Sequence, residues 1–82
     1  MKTFNKSTFQ NILKRVDFQN EYDFETFSES LLEYFDVLTE GDTEEIIDYL
    51  DNDLGISSDS DIHGLSTSGI KDLCEFINDL LD

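Results

Sequence analysis

The sequence predicts an all-α fold, a small bundle of four short helices, and three observations carry that prediction. Apolar residues recur at i, i+3, i+4 and i+7 in four separate stretches. No stretch sustains the period-two alternation with β-branched residues that marks a strand. There is also no Pro, no internal repeat and no low-complexity linker. With 82 residues the chain reads as one acidic helical domain, residues 1–82. A chain of that size buries about 60–65% of the surface it exposes when unfolded.

The first helix is expected over residues 7–16, with Phe9, Ile12, Leu13 and Val16 on one face. Asn5 or Ser7 can cap it, and Phe4 with Phe9 suits a hydrophobic staple if Asn5 is the cap. The second is expected over residues 24–38, capped by Asp23, with Phe24, Phe27, Leu31, Phe35 and Leu38 facing inward. The third opens at Asp42, where Asp42 and Glu45 have capping-box spacing. It carries Ile46, Ile47, Leu50 and Leu54, and Gly55 is a natural stop. The fourth starts near residues 66–68 and carries Ile70, Leu73, Cys74, Ile77 and Leu81. Residues 17–22 and 55–65 read as loops.

Twenty Asp and Glu stand against five Lys and Arg, a formal charge of −15. Residues 1–16 hold Lys2, Lys6, Lys14 and Arg15 and no acid, a segment of +4, while residues 17–82 hold every acid and only Lys71, a segment of −19. From 17 to 61 there are 16 acids and no base at all. Ordinary solvated surfaces mix both signs, because crowding like charges lowers stability. A halophilic origin would also give acid excess, but the abundance of Phe, Ile and Asn argues against it. Direct binding to DNA, RNA or anionic lipid is disfavoured, since phosphate contacts need Lys and Arg. The expected partner is basic.

No run approaches the ~20 apolar residues of a membrane helix. No signal-peptide stretch follows the first residues, and the lone Cys74 cannot form an internal disulfide. A reducing, cytoplasmic setting is the simplest expectation. Seven Phe and three Tyr are too many bulky side chains for a disordered acidic tail.

On the expected second helix, Glu25, Glu29, Glu33, Asp36 and Glu40 fall on one face, away from the apolar stripe. Four helical residues rise about 6 Å, close to the step between phosphates along one nucleic-acid strand. Glu44, Asp48 and Asp51 repeat the arrangement on the third helix. Each i, i+4 pair of like charges costs a helix roughly 0.2–0.5 kcal/mol, and no Lys relieves it. A charged face is usually just solvated, but 45 consecutive residues without a base favour a functional surface. Tyr34 and Tyr49 are the expected aromatic anchors beside these acids.

Other constellations carry less. Asp59, Ser60, Asp61 and Gly64 fit the start of a calcium loop, but His63 and Ile70 stand at two ligand positions. His63 and Cys74 have no further ligands at zinc spacing, so no metal or cofactor is expected. One His and one apolar-face Cys give no catalytic pair, so an enzyme is not expected.

Two families share features with the chain. Acyl carrier proteins are small, acidic and helical, and attach their cofactor to a Ser within Asp-Ser-Leu; Glu29-Ser30-Leu31 resembles that motif, which would make Ser30 the modified residue. Leu65-Ser66-Thr67-Ser68-Gly69 resembles the start of that family's last helix. Leu31-Leu32-Glu33-Tyr34-Phe35 with Thr39-Glu40, Ile46-Ile47-Asp48-Tyr49, and Ser68-Gly69-Ile70-Lys71 resemble segments of the immunity proteins of nuclease colicins and pyocins. That resemblance spans roughly residues 4–77, without the family's His-Pro-x-Gly turn and with Asp48 where a Tyr is usual. It implies that Glu29, Glu33, Asp36 and Tyr49 meet a nuclease.

The resulting expectation is an acidic inhibitor that occupies the basic nucleic-acid site of a partner, a nuclease or defence effector, as DNA mimics of the immunity, anti-restriction or anti-CRISPR type do. Its binding residues would be Glu25, Glu29, Glu33, Tyr34, Asp36, Glu40, Glu44, Asp48, Tyr49 and Asp51. The alternatives are a carrier protein modified at Ser30 and a small helical scaffolding module. A homodimer is also open to a bundle of this size.

Overall fold

The computed structural model describes residues 3–82. Lys2, counted above in the basic segment, lies with Met1 outside the described residues. Within them the chain is all-α, in the order α1 (Lys6–Leu13), α2 (Glu25–Tyr34), α3 (Glu40–Asn52), α4 (Asp59–Ile62) and α5 (Thr67–Leu81). α1 packs against α2 and α5, and α3 packs against the same two helices from the other side. These four enclose one core, and the single turn α4 lies against α2.

Asn5 caps α1, its side-chain oxygen accepting from the Thr8 amide at 2.9 Å. Phe4 meets Phe9 edge-on with ring centroids 6.1 Å apart, so the staple forms as expected. α1 ends at Leu13 rather than 16. The Arg15 and Val16 amides reach back only three residues, to Ile12 and Leu13, tightening the chain so that Val16 turns into the core.

α2 differs more. It ends at Tyr34, because Phe35 takes an extended conformation (φ −121°, ψ 101°). Phe35 and Leu38 are nevertheless both buried. α3 then starts three residues earlier than expected, since the capping box is Thr39 with Asp42 rather than Asp42 with Glu45. The Asp42 amide donates to the Thr39 hydroxyl at 3.2 Å, and the Thr39 amide donates to the Asp42 carboxylate at 3.0 Å. At the far end Gly55, with φ +69°, turns the chain as expected.

Residues 55–65 are not all loop, because α4 lies inside them. Its Ile62 is buried in the core and its Asp59 is fully buried beside the start of α2. α2 has no side-chain cap from its own N-cap residue, Phe24. Asp23, the expected cap, accepts from just one amide of α2, that of Glu25 at 3.1 Å, and from the Asn20 side chain at 2.9 Å. The Thr26 and Phe27 amides instead donate to the Asp59 carboxylate at 3.1 and 3.2 Å, and the Thr26 hydroxyl and Asn20 amide group add two more bonds. A carboxylate at a helix N-terminus satisfies orphan donors and meets the positive end of the macrodipole.

Ser66 caps α5 through the Gly69 amide at 3.1 Å, and Leu73 and Ile77 anchor it in the core. Asn78 fixes the chain's start: it accepts from the Phe4 amide and donates to the Phe4 carbonyl, both at 2.7 Å. The Phe4 ring is thereby held against Phe9 and Phe35.

Candidate partner-binding surface

The break after Tyr34 divides the expected acidic line. Glu25, Glu29 and Glu33 remain exposed on one face of α2, spaced by about 6 Å of helix rise. Asp36 lies in the turn beyond the helix, and Glu40 opens α3, so five carboxylates on one helix face is a reading the fold overturns. Phe35, extended just after α2, and Leu38, in the turn beyond it, are both buried in the core. Glu33 is also paired, its carboxylate 3.3 Å from the Arg15 guanidinium, with both groups largely exposed. Part of the basic N-terminal segment therefore offsets acid within the molecule.

The aromatic anchors are placed differently too. Tyr34 is half-buried, its ring packed edge-on against Phe35 at 5.0 Å. Tyr49 is half-buried and lies flat on Phe76, with centroids 4.3 Å apart and planes 10° from parallel. The most exposed aromatic ring is Tyr22, at 88% exposure, a residue that periodicity gave no reason to choose.

The structure concentrates acids with aromatic rings around α3. A groove of about 500 Å³ runs between α3 and α5, with Tyr49 and Phe76 among its walls and Glu45, Asp48 and Asp53 on its acidic side. A second groove, of about 290 Å³, lies between α3 and the start of α2, where Tyr22 and Phe24 accompany Asp23, Asp48 and Asp51. Asp48 lines both. Glu44 is exposed on the same helix but lines neither, as do Glu25 and Glu29 on α2.

The electrostatics follow from this placement. Burial raises the Tyr49 hydroxyl above the ordinary tyrosine range, and the charges of Asp72, Asp53 and Glu75 push it further the same way. Tyr49 therefore stays a neutral donor, surrounded by carboxylates from both α3 and α5. The Asp23 carboxyl is held below its usual range by the Asn20 side chain and then by the Glu25 amide, so it stays charged. An aromatic face beside several carboxylates suits a guanidinium or ammonium group, which gains from the ring quadrupole and the acids together. Among the described residues no helix has a basic residue in its last turn, and α3 closes on Asp51, Asn52 and Asp53 at its negative pole.

Several groove residues were not among the candidates: Glu45, Asp53 and Phe76 on one side of α3, and Tyr22 and Asp23 on the other. Glu45 and Asp48 are separated by three residues and could have been read as one helix face. Phe76 could not, because it falls beside the apolar stripe of α5 and meets Tyr49 only through tertiary packing.

The remaining chemical candidates are absorbed by the fold. His63 donates from Nε2 to the Val16 carbonyl at 3.1 Å, and Phe18 meets the imidazole edge-on. Asp59 spends its carboxylate on α2. Ser30 is buried in the middle of α2, so its hydroxyl is not presented to a transferase. Among the described residues no group of three or more His, Cys, Asp or Glu could hold a metal ion, and no helix is long and apolar enough to cross a membrane. No protein family, curated protein or solved structure matches the chain.

Proposed function

We propose that the chain is a non-enzymatic inhibitor that sets its acidic α3 surface into the basic, nucleic-acid-binding site of a partner protein. The observation that carries this reading is Asp48, which lies between two acid-rimmed grooves with aromatic walls, inside 45 residues that contain no base. Acids at helix C-termini and like charges along helix faces lower stability, so their persistence favours a role in binding. Arg and Lys side chains of the partner would enter the grooves, and the α2 carboxylates Glu25 and Glu29 would extend the field that steers the encounter. Immunity, anti-restriction and anti-CRISPR proteins of the DNA-mimic type are the settings in which such an inhibitor acts, and the partner would be a nuclease or another DNA-acting effector in the cytoplasm.

The test begins with capture from host lysate at low salt on immobilised protein, with elution by duplex DNA. The affinity of the captured protein is then measured for wild type and for two triple variants. Glu45→Gln/Asp48→Asn/Asp53→Asn should weaken binding about tenfold or more, while Glu25→Gln/Glu29→Gln/Glu33→Gln should mainly slow association. An affinity that is unchanged in the α3 variant, or unchanged between low and high salt, would overturn the proposal in favour of an apolar scaffolding contact.

A further inference from the structure

A third groove, of about 350 Å³, lies on the opposite side of α5, between that helix and the start of α1. Phe4, Ile70 and Cys74 supply its apolar wall. Asn78 also lines it, but both ends of its amide are occupied by the Phe4 backbone, which leaves little free polar capacity inside. Thr67 and Asn78 mark its extent along α5, a separation of eleven residues and so about 16 Å of helix.

The rim runs against the charge of the rest of the molecule. Lys6 and Lys71 both line the groove, with Glu75 as the one acid there. Lys71 is the only base in residues 17–82. Arg15 is committed to Glu33, whereas neither Lys6 nor Lys71 makes an ion pair among the described residues. A molecule of charge −15 thus gathers two unpaired cations at the mouth of an apolar cleft. An apolar wall with a few placed charges is the usual form of a small-ligand site, and the volume lies within the range of about 300–1,000 Å³ typical of such sites.

From this juxtaposition we infer that the groove between α1 and α5 binds an amphipathic carboxylate, a fatty acid of about ten carbons. The acyl chain lies along α5 over Ile70 and Cys74, and the carboxylate meets the ammonium groups of Lys6 and Lys71. This inference is independent of the α3 surface. It makes a demand that bulk charge cannot satisfy, because a protein of −15 attracts cationic amphiphiles and repels anionic ones.

Decanoate and decyltrimethylammonium, each kept below its micelle concentration, provide the test, with circular dichroism to verify that the fold is intact. Cys74 lines the groove, so its rate of alkylation reads occupancy, and backbone amide shifts locate the ligand. Decanoate should slow alkylation and shift the Ile70 and Cys74 amides, with an affinity about fivefold above that of the cation, the scale expected for two exposed ion pairs. Lys6→Gln/Lys71→Gln should erase the preference, and both side chains are exposed, so the variant keeps the fold. Equal protection by the cationic chain would overturn the inference, as would an unchanged preference in the double variant. Protection that rises with protein concentration alone would overturn it too, by assigning the groove to a second copy of the chain.

Discussion

Asp59 ties α4 to the start of α2. Its carboxylate is fully buried yet accepts from two α2 amides, the Thr26 hydroxyl and Asn20, while its own amide donates to the Asp23 carbonyl at 2.7 Å. A buried charge is tolerable only with such a full set of donors. Asp59→Ala strands those donors and should cost about 2–4 kcal/mol, read as a lower urea midpoint; Asp59→Asn, which keeps one acceptor, should lose less. Tyr49 gives a pH dependence. Its folded pKa is raised above the ordinary value of 10.0 by burial and nearby acids. The unfolded chain therefore releases that proton first, so the stability it contributes is intact below pH 10 and is lost as pH rises through the folded value. A spectrophotometric titration should find a tyrosine ionising above the ordinary range, absent in Tyr49→Phe, and that variant should lose less stability in alkali than wild type. Neither residue's role follows from its neighbours in sequence: Asp59 acts on a helix more than thirty positions away, and Tyr49 is tuned by acids on α5.

At the scale of elements, the contrast between α1 and α2 is instructive. α1 and α5 start where local chemistry places them, since Asn5 and Ser66 each cap an amide three residues on. α2 has the longer apolar stripe but stops at Tyr34, where Phe35 turns extended, and Phe35 and Leu38 reach the core from the turn that follows. That stop moved Asp36 and Glu40 off α2 and shifted the candidate surface to α3. Sequence spacing places the box that starts α3 at Asp42 and Glu45, and the fold sets it three residues earlier, at Thr39 and Asp42. The Asn78 clamp has an independent consequence. Asn78→Ala removes both bonds to Phe4 and should cost about 1–3 kcal/mol, with the Phe4 amide losing hydrogen-exchange protection before the amides of α3.

For the whole molecule, charge and size set the behaviour. The formal charge of the chain is −15, and its described residues form a body of 31 × 23 × 22 Å. At low salt the screening length, about 30 Å at 0.01 M, spans that body, so most carboxylates repel one another. Raising ionic strength to about 0.5 M should therefore raise the melting temperature by several degrees. The proposed complex should respond oppositely, with association slowing over the same range. One salt series with both readouts separates the two effects, and a protein that melts lower in salt would contradict the self-repulsion argument.

The helical class, Asn5 as one of two candidate caps for α1, a start of α5 near residues 66–68, the turn at Gly55 and the division of charge at residue 16 were readable from the residues, because each depends on neighbours within a turn or on simple counting. The break in α2, the buried role of Asp59, the Tyr49–Phe76 stack and the gathering of Lys6 with Lys71 required the folded chain. Each depends on how the helices pack against one another, which no local window contains.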